Sequence, residues 1–279
     1  MSAHELDHVA FAVPGWRMAG EMLHRELGAR FAGGFSLPAF NPCQVALAED
    51  MRLELLEPGS SSTSFIARFL AENAGNAAPH HITFKVRDIS AAIAGAQGAG
   101  IEPILVNTDH PLWQEAFLHP RDTGLGFLTQ MVQTSEALEN LADANELTAD
   151  RPWAEGHCTP ARLPVVFGQV GDLQRAEHVL VNVLGADRHG LPGLPAGEPA
   201  AAVFRWSDGA DLILQELAAG AGNPGLKALG ITAGDEPWAG PDSPGLLETL
   251  GAGSFYPELG IRISPLRLPV PAEIGRAHV

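Results

Sequence analysis

An α+β fold made of repeated strand–helix–strand units is the class that this sequence predicts. Three observations predict it. Two strands of one design, DHVAFAV at 7–13 and HHITFKV at 80–86, stand 73 positions apart. Each is followed by a stretch with helical apolar spacing, and each unit then closes on further strand-like segments.

The elements follow in order. In both opening strands a polar pair precedes alternating apolar residues, the period-2 pattern of a half-buried strand, and the second member of the pair is histidine, His8 and His81. A helix starts near Pro14-Gly15 with Met18, Met22, Leu23 and Leu27 at helical spacing, and Gly28 stops it. The second helix has Asp88 or Ser90 as its cap, Ile89, Ile93 and Ala96 along one face, and Gly98 or Gly100 at its end. Strands are expected at 44–48 and 52–56 in the first unit and at 115–119 and 127–132 in the second, with a short linking helix over 63–72.

The late strands add a second match. RLELLEP carries Glu54 and FLTQMVQ carries Gln130 at equivalent places. A carboxylate with apolar neighbours on both sides either faces solvent or has a specific partner. If the two units pair through their sheets, His8, Glu54, His81 and Gln130 converge on one cavity. Two imidazoles, one carboxylate and one amide oxygen suit a divalent Zn, Ni, Co, Mn or Fe ion. A lone histidine on a strand is more often a hydrogen-bonded structural residue, but repetition at equivalent positions favours a site. Alternation places His80 on the opposite face from His81, so His80 is expected to point outward or to stand behind the ligands.

LDHVAFAVPGW, RLELLEPG, FIARFLAENAG, HHITFKVRDI and FLHPRDTGLGFLTQMV resemble the vicinal oxygen chelate (glyoxalase/bleomycin resistance/dioxygenase) superfamily over about residues 5–133, nearest to methylmalonyl-CoA epimerase and glyoxalase I-like proteins. The resemblance implies a paired βαβββ fold with a divalent metal held by His8, Glu54, His81 and Gln130. The metal would chelate two oxygens of a small carbonyl, hydroxy-acid or thioester substrate and stabilise an oxyanion. One departure concerns proton transfer. The relatives carry glutamate where this chain has Gln130, and an amide takes no proton near neutral pH. PAFNPCQVA likewise offers no acid where the epimerase-like proteins have one. Gln130 and His119 are therefore the catalytic candidates, His119 weighing more towards a structural or gating role. Asp109, His110 and Glu115 are further candidates for moving a proton.

The second half echoes the first. LPVVFGQVGDLQRAEHVLVNVLGADRHG reads as strand, turn and helix, AAVFRWSDGADLILQEL as a hairpin turning at Ser207-Asp208-Gly209, and GIRISPLRLPV as one or two strands. Val165 and Ile213 stand where the metal positions would be, and no full fourth unit is visible. The division expected is a metal-binding glyoxalase-like domain at 1–135, a linker at 136–162 and a degenerate, metal-free glyoxalase-like domain at 163–279. The second half would cover the first sheet or form a homodimer surface.

Composition limits the function classes. Net charge is −16, with 17 basic against 33 acidic residues, which repels nucleic acid and anionic membranes, so a small-molecule substrate is the expected partner. No stretch approaches the roughly 20 apolar residues of a membrane span. The opening residues read straight into a strand, so a soluble cytoplasmic protein is expected. The cysteines, Cys43 and Cys158, form no CxxC, and GAGNPG and GAQGAG do not sit in a nucleotide-binding frame. A metal-dependent lyase or isomerase leads. A ring-cleaving dioxygenase, or a protein that sequesters a ligand without chemistry, are the alternatives.

Overall fold

The computed structural model describes residues 4–134, Trp153 and 159–266, apart from 195, 196, 219, 235, 237, 239 and 244. Two sheets organise them. The first unit runs β1 (His4–Ala12), α1 (Trp16–Leu27), β2 (Arg30–Gly34), β3 (Phe40–Ala46) and β4 (Arg52–Pro58). After α2 (Phe65–Glu72) the second unit repeats it with β5 (Ala78–Val86), α3 (Ile89–Gly98), β6 (Ile104–Asn107), β7 (Trp113–Leu118), the single turn α4 (Pro120–Thr123) and β8 (Leu128–Thr134). The strands form one sheet in the order β2-β3-β4-β1-β5-β8-β7-β6. Each unit is a βαβββ module, and antiparallel β1 and β5 join them at the centre.

Local chemistry places the helices. Gly28, at φ 65, ends α1 with its N–H on the His24 carbonyl. Asp88 caps α3 by accepting from the Ala91 N–H. On α1, Ala19, Met22, Leu23 and Leu27 are buried, whereas Met18, expected on that face, is 59% exposed. Strands β2 and β6 escape a sequence reading because Gly33 and Gly34 interrupt one and Leu105 and Val106 face solvent in the other.

The second sheet uses the same plan: β9 (Arg162–Val170), α5 (Leu173–Asn182, capped by Asp172), β10 (Asp187–Gly190), β11 (Ala201–Arg205) and β12 (Asp211–Glu216). A fourth unit, which the sequence did not reveal, then appears as β13 (Gly225–Thr232), α6 (Leu246–Ala252), β14 (Ser254–Tyr256) and β15 (Ile261–Pro265). It was hidden because GLKALGIT is buried on both faces and lacks alternation, with Gly225 and Gly230 inside it. The order β10-β11-β12-β9-β13-β15-β14 matches the first sheet with one edge strand fewer among the described residues. Most of the stretch expected to be a linker lies outside the described residues. Within that stretch Trp153 packs on Trp16 and Phe31, in space that the missing side chain of Gly20 leaves open, and Arg162 already begins β9.

The helix-bearing faces of both sheets share one core, in which Leu6, Val9, Phe11, Ile82 and Phe84 meet Leu163, Val166, Val170 and the buried residues of α1, α3 and α5. The other face of the first sheet is left to line a cavity. Cys43, on β3, is fully buried, and burial with Glu54 and Glu57 nearby pushes its thiol up to about 12. Its reactive thiolate is therefore absent at any ordinary pH. In a Cys158→Ser background at pH 8, a thiol-reactive aryl disulfide is expected to leave the native protein unlabelled and to label one thiol per chain after unfolding. Rapid labelling of the native protein would contradict this burial.

Candidate metal centre

The central strands bring the repeated histidines together. Pairing of β1 with β4 sets Ala10 opposite Glu54, and pairing of β1 with β5 sets Ala10 opposite His81 and His8 opposite Thr83. The ligand atoms of His8, Glu54 and His81 lie within 4.8 Å of one another. Glu54 Oε2 is 3.5 Å from His8 Nε2 and 3.7 Å from His81 Nε2. The histidines are buried, and Glu54 opens onto a cavity of about 1690 Å³.

Two β-bulges aim these rings. Asp7 is the extra residue of β1 between Leu6 and His8, and His80 is the extra residue of β5 between Pro79 and His81. Each bulge brings the residue before the ligand to the same side as the ligand. Asp7 Oδ2 accepts from His8 Nδ1 at 2.6 Å, and His80 Nδ1 meets His81 Nδ1 at 2.8 Å. His80 therefore does not point outward. It lines the cavity, half-buried, and holds the ring that follows it. Strict alternation fails here because a bulge shifts every later side chain by one. Both Nδ1 atoms being engaged, both Nε2 atoms are directed at Glu54.

The electrostatics favour a cation between them. Burial opposes charge on His8, but the hydrogen bonds and charges of Asp7 and Glu54 outweigh it and push the ring up to about 9. Burial also works against the Asp7 carboxylate, yet its bond to His8 holds it below the usual carboxylate range. Burial, then the neighbouring His80 and His8, hold His81 well below 6.5, so its ring is neutral. Burial pushes His80 down to about 4. His81 Nε2 has no hydrogen-bond partner despite its burial. In either tautomer it faces a carboxylate too far to bond and a neighbouring imidazole. A divalent ion resolves that arrangement, and two imidazoles with one carboxylate are a donor set that such ions accept. The residues present therefore fit a metal.

Gln130 borders the cluster, and against the larger effect of burial its side chain favours charge on His81. The Gln130 Nε2 donates to Glu115 Oε2 at 2.6 Å, a carboxylate that Trp113 Nε1 also reaches at 2.9 Å. A carboxylate only accepts, so the amide oxygen faces the other way, where it accepts from Thr83 Oγ1 at 2.6 Å. Thr83 Oγ1 is in turn 2.9 Å from His8 Nε2. Thr83 is a member of this cluster that sequence reasoning missed. The one signal it gave was its position two residues after His81, on the same face. Glu115, one of the proton-transfer candidates, does line the cavity. His119 does not: it caps α4, accepting the Arg121 N–H at 3.2 Å, because the Pro120 turn needs an acceptor there. Asp109 and His110 are exposed, and His110 Nδ1 accepts from the N–H groups of Leu112 and Trp113 in a turn.

The second sheet carries other residues at the corresponding places. By register, His8, Glu54, His81 and Gln130 correspond to Val165, Ile213, Ala228 and Ser264. A bulge persists at Lys227, the counterpart of His80. The space is filled by Leu246 and Leu250 of α6 and by Leu266, and Ser264 Oγ donates to the Leu250 carbonyl.

The positioning pairs carry a prediction. Asp7→Asn and His80→Phe are each expected to weaken divalent-metal affinity by about 10- to 100-fold, measured by competition with a chromophoric chelator. Unchanged affinity in both would show that the bulged residues do not orient the ligands.

The family model described as Glyoxalase/Bleomycin resistance protein/Dioxygenase superfamily matches residues 7–117, the stretch that carries His8, Glu54 and His81. No curated protein matches the sequence. Among solved structures, methylmalonyl-CoA epimerase from Mycobacterium tuberculosis is 23% identical, with a TM-score of 0.43, covering 49% of this chain and 91% of that one. A hypothetical protein, BH1468, from Bacillus halodurans C-125 is 26% identical, with a TM-score of 0.42, covering 48% and 96%. A hypothetical protein from Staphylococcus aureus is only 10% identical but has a TM-score of 0.60 and covers 94% of this chain and 100% of that one, a likeness of fold across both sheets. The superfamily resemblance expected from the five motifs is met over this matched stretch. No helix among the described residues is long and apolar enough to cross a membrane.

Proposed function

We propose that this chain is a metal-dependent enzyme built on the glyoxalase-superfamily module of its residues 7–117, of lyase or isomerase type, working in the cytoplasm. Its substrate is a small carbonyl, hydroxy-acid or thioester compound with two adjacent oxygens. His8, Glu54 and His81 hold a divalent ion in a domain at 1–135, and the domain at 163–279 carries none. The observation that carries this reading is the buried, unpartnered His81 Nε2 facing Glu54 and His8.

When bound, the ion supplies positive charge where oxyanion character develops on the substrate. The chain's residues do the rest. Asp7 and His80 fix the ligand rings. Thr83 and Glu115 hold the Gln130 amide with its oxygen turned towards His8. Gln130 accepts no proton, so it orients substrate or completes the shell. Glu115, on the cavity wall, is the nearby carboxylate able to take one. His119 is assigned no catalytic role, since it caps α4 away from the cavity.

Metal analysis after purification with and without added Zn²⁺, Mn²⁺, Co²⁺, Ni²⁺ and Fe²⁺ tests the reading. Retained metal supports it, and no affinity for any of them overturns it. A ring-cleaving dioxygenase is the second reading. Gln130 is occupied by Thr83 and Glu115, which leaves two histidines and one carboxylate, a donor set that suits Fe²⁺ with open positions. Oxygen uptake with a catechol by the Fe²⁺-loaded protein separates the two.

A further inference from the structure

The wall of the cavity beside the metal centre is aromatic, and it belongs to the helix that links the two modules. Ile66 and Leu70 of α2 are buried against Ala10, Ala12 and Leu56 and anchor the helix. One turn around, Phe65, Arg68, Phe69 and Glu72 face the cavity. The two phenylalanines are only half-buried. Their rings continue from the metal ligands: the His81 and His80 centroids are 5.1 Å apart, and Phe69 follows at 4.8 Å and Phe65 at 6.0 Å from His80. Flat apolar surface thus begins beside His81 and runs outward, offering edge and face contacts at aromatic packing distances.

Charge around the cavity is sorted. Lys85 pairs with Glu5, Arg162 with Glu49, and Arg52 donates to Gln44. Arg68 is the one cation of the cavity wall whose side chain makes no hydrogen bond or ion pair among the described residues. It stands between Phe65 and Phe69 on the same helical face. Around the whole wall the described residues include eight carboxylates against four basic side chains, which disfavours a polyanion such as a coenzyme A thioester while leaving one place for a single acid.

We propose that the cavity takes a small aromatic acid: two vicinal oxygens face His8, Glu54 and His81, a flat ring lies on Phe65 and Phe69, and one carboxylate at the far end of the ring meets Arg68. This rests on the metal reading and narrows its substrate class to ring-bearing acids. Guanidinium is suited to the outer contact, since it pairs with a carboxylate through two parallel N–H bonds and also stacks on rings.

Three probes each offer the ion one hydroxyl–carboxylate pair, on a single carbon in lactate and on adjacent ring carbons in the other two. Lactate has no ring, salicylate has the ring, and 2-hydroxyterephthalate has the ring and a distal acid. Their binding to the Zn²⁺-loaded full chain is measured by calorimetry, after metal affinity has been measured alone. The expected order is 2-hydroxyterephthalate tightest, then salicylate, then lactate, with roughly tenfold between the last two. Phe69→Ala should remove the advantage of salicylate over lactate, and Phe69→Leu keeps the helix packed as a folding control. Arg68→Gln should remove the advantage of the distal acid while leaving salicylate unchanged. Equal affinities for all three probes, or tighter binding of acetyl-coenzyme A than of salicylate, would overturn the proposal while leaving the metal site standing. Failure of metal to bind at all would instead sink the reading on which it rests.

Discussion

Replacing His81 by alanine is expected to lower divalent-metal affinity by about 100-fold or more, since loss of a ligand exceeds the 10- to 100-fold effect of losing a residue that merely orients one. The same change is expected to cost little in the metal-free fold. His81 Nε2 is buried without a partner, so its removal relieves an unsatisfied polar atom even as it opens a void. The two effects oppose each other, which leaves a change of about 1–2 kcal/mol. A large loss of affinity beside a small loss of stability is the signature of a ligand. A structural histidine would show the reverse. Val165→Ala, at the place in the second sheet that corresponds to His8, serves as the control and should leave metal affinity unchanged. Affinity titration and urea unfolding of the three proteins decide between these outcomes.

Gly209→Ala is expected to be strongly destabilising at the seam between the sheets. The residue turns β11 into β12 at φ 91, and a Cβ there would stand 2.1 Å from the Leu6 carbonyl oxygen of β1. Backbone strain of ~1–3 kcal/mol adds to overlap of ~1–3 kcal/mol, because the obstacle is backbone and cannot rotate away. Gly193 separates the two terms: its φ is 75, but a Cβ there meets nothing within 4 Å. Gly193→Ala should therefore cost only the strain, and the difference in urea midpoint between the variants measures the contact. Equal midpoints would show that the turn does not press on β1. Ser207, Asp208 and Gly209 also line the cavity, so the same substitution should disturb its mouth.

The sequence made the paired modules legible because repetition exposes them. Two histidines at one place in two copies mean more than either alone, and Glu54 is marked by the apolar residues around it. The same reading left His80 between pointing outward and standing behind the ligands, and only the second holds, because period-2 alternation presumes an unbroken ladder and the bulges at Asp7 and His80 are set by pairing across β1 and β5. Thr83 was invisible for a related reason. Threonine is an ordinary strand residue, and its place in the cluster depends on lying opposite His8. In the second half, Val165 and Ile213 could be matched to the site from local sequence. Ala228 and Ser264 could not, because β13 gives neither alternation nor a turn signal and its register with β9 and β15 is a property of the folded sheet.

The count of tightly bound divalent ions per chain tests the central claim most directly. One sheet presents His8, Glu54 and His81 around a buried unpartnered nitrogen, and the other presents Val165, Ile213 and Ala228 under Leu246 and Leu250. Elemental analysis of the protein after loading and exhaustive dialysis should therefore return one ion per chain, falling to none in His8→Ala/His81→Ala. No bound ion in the wild type, or an ion that survives the double substitution, would contradict the account.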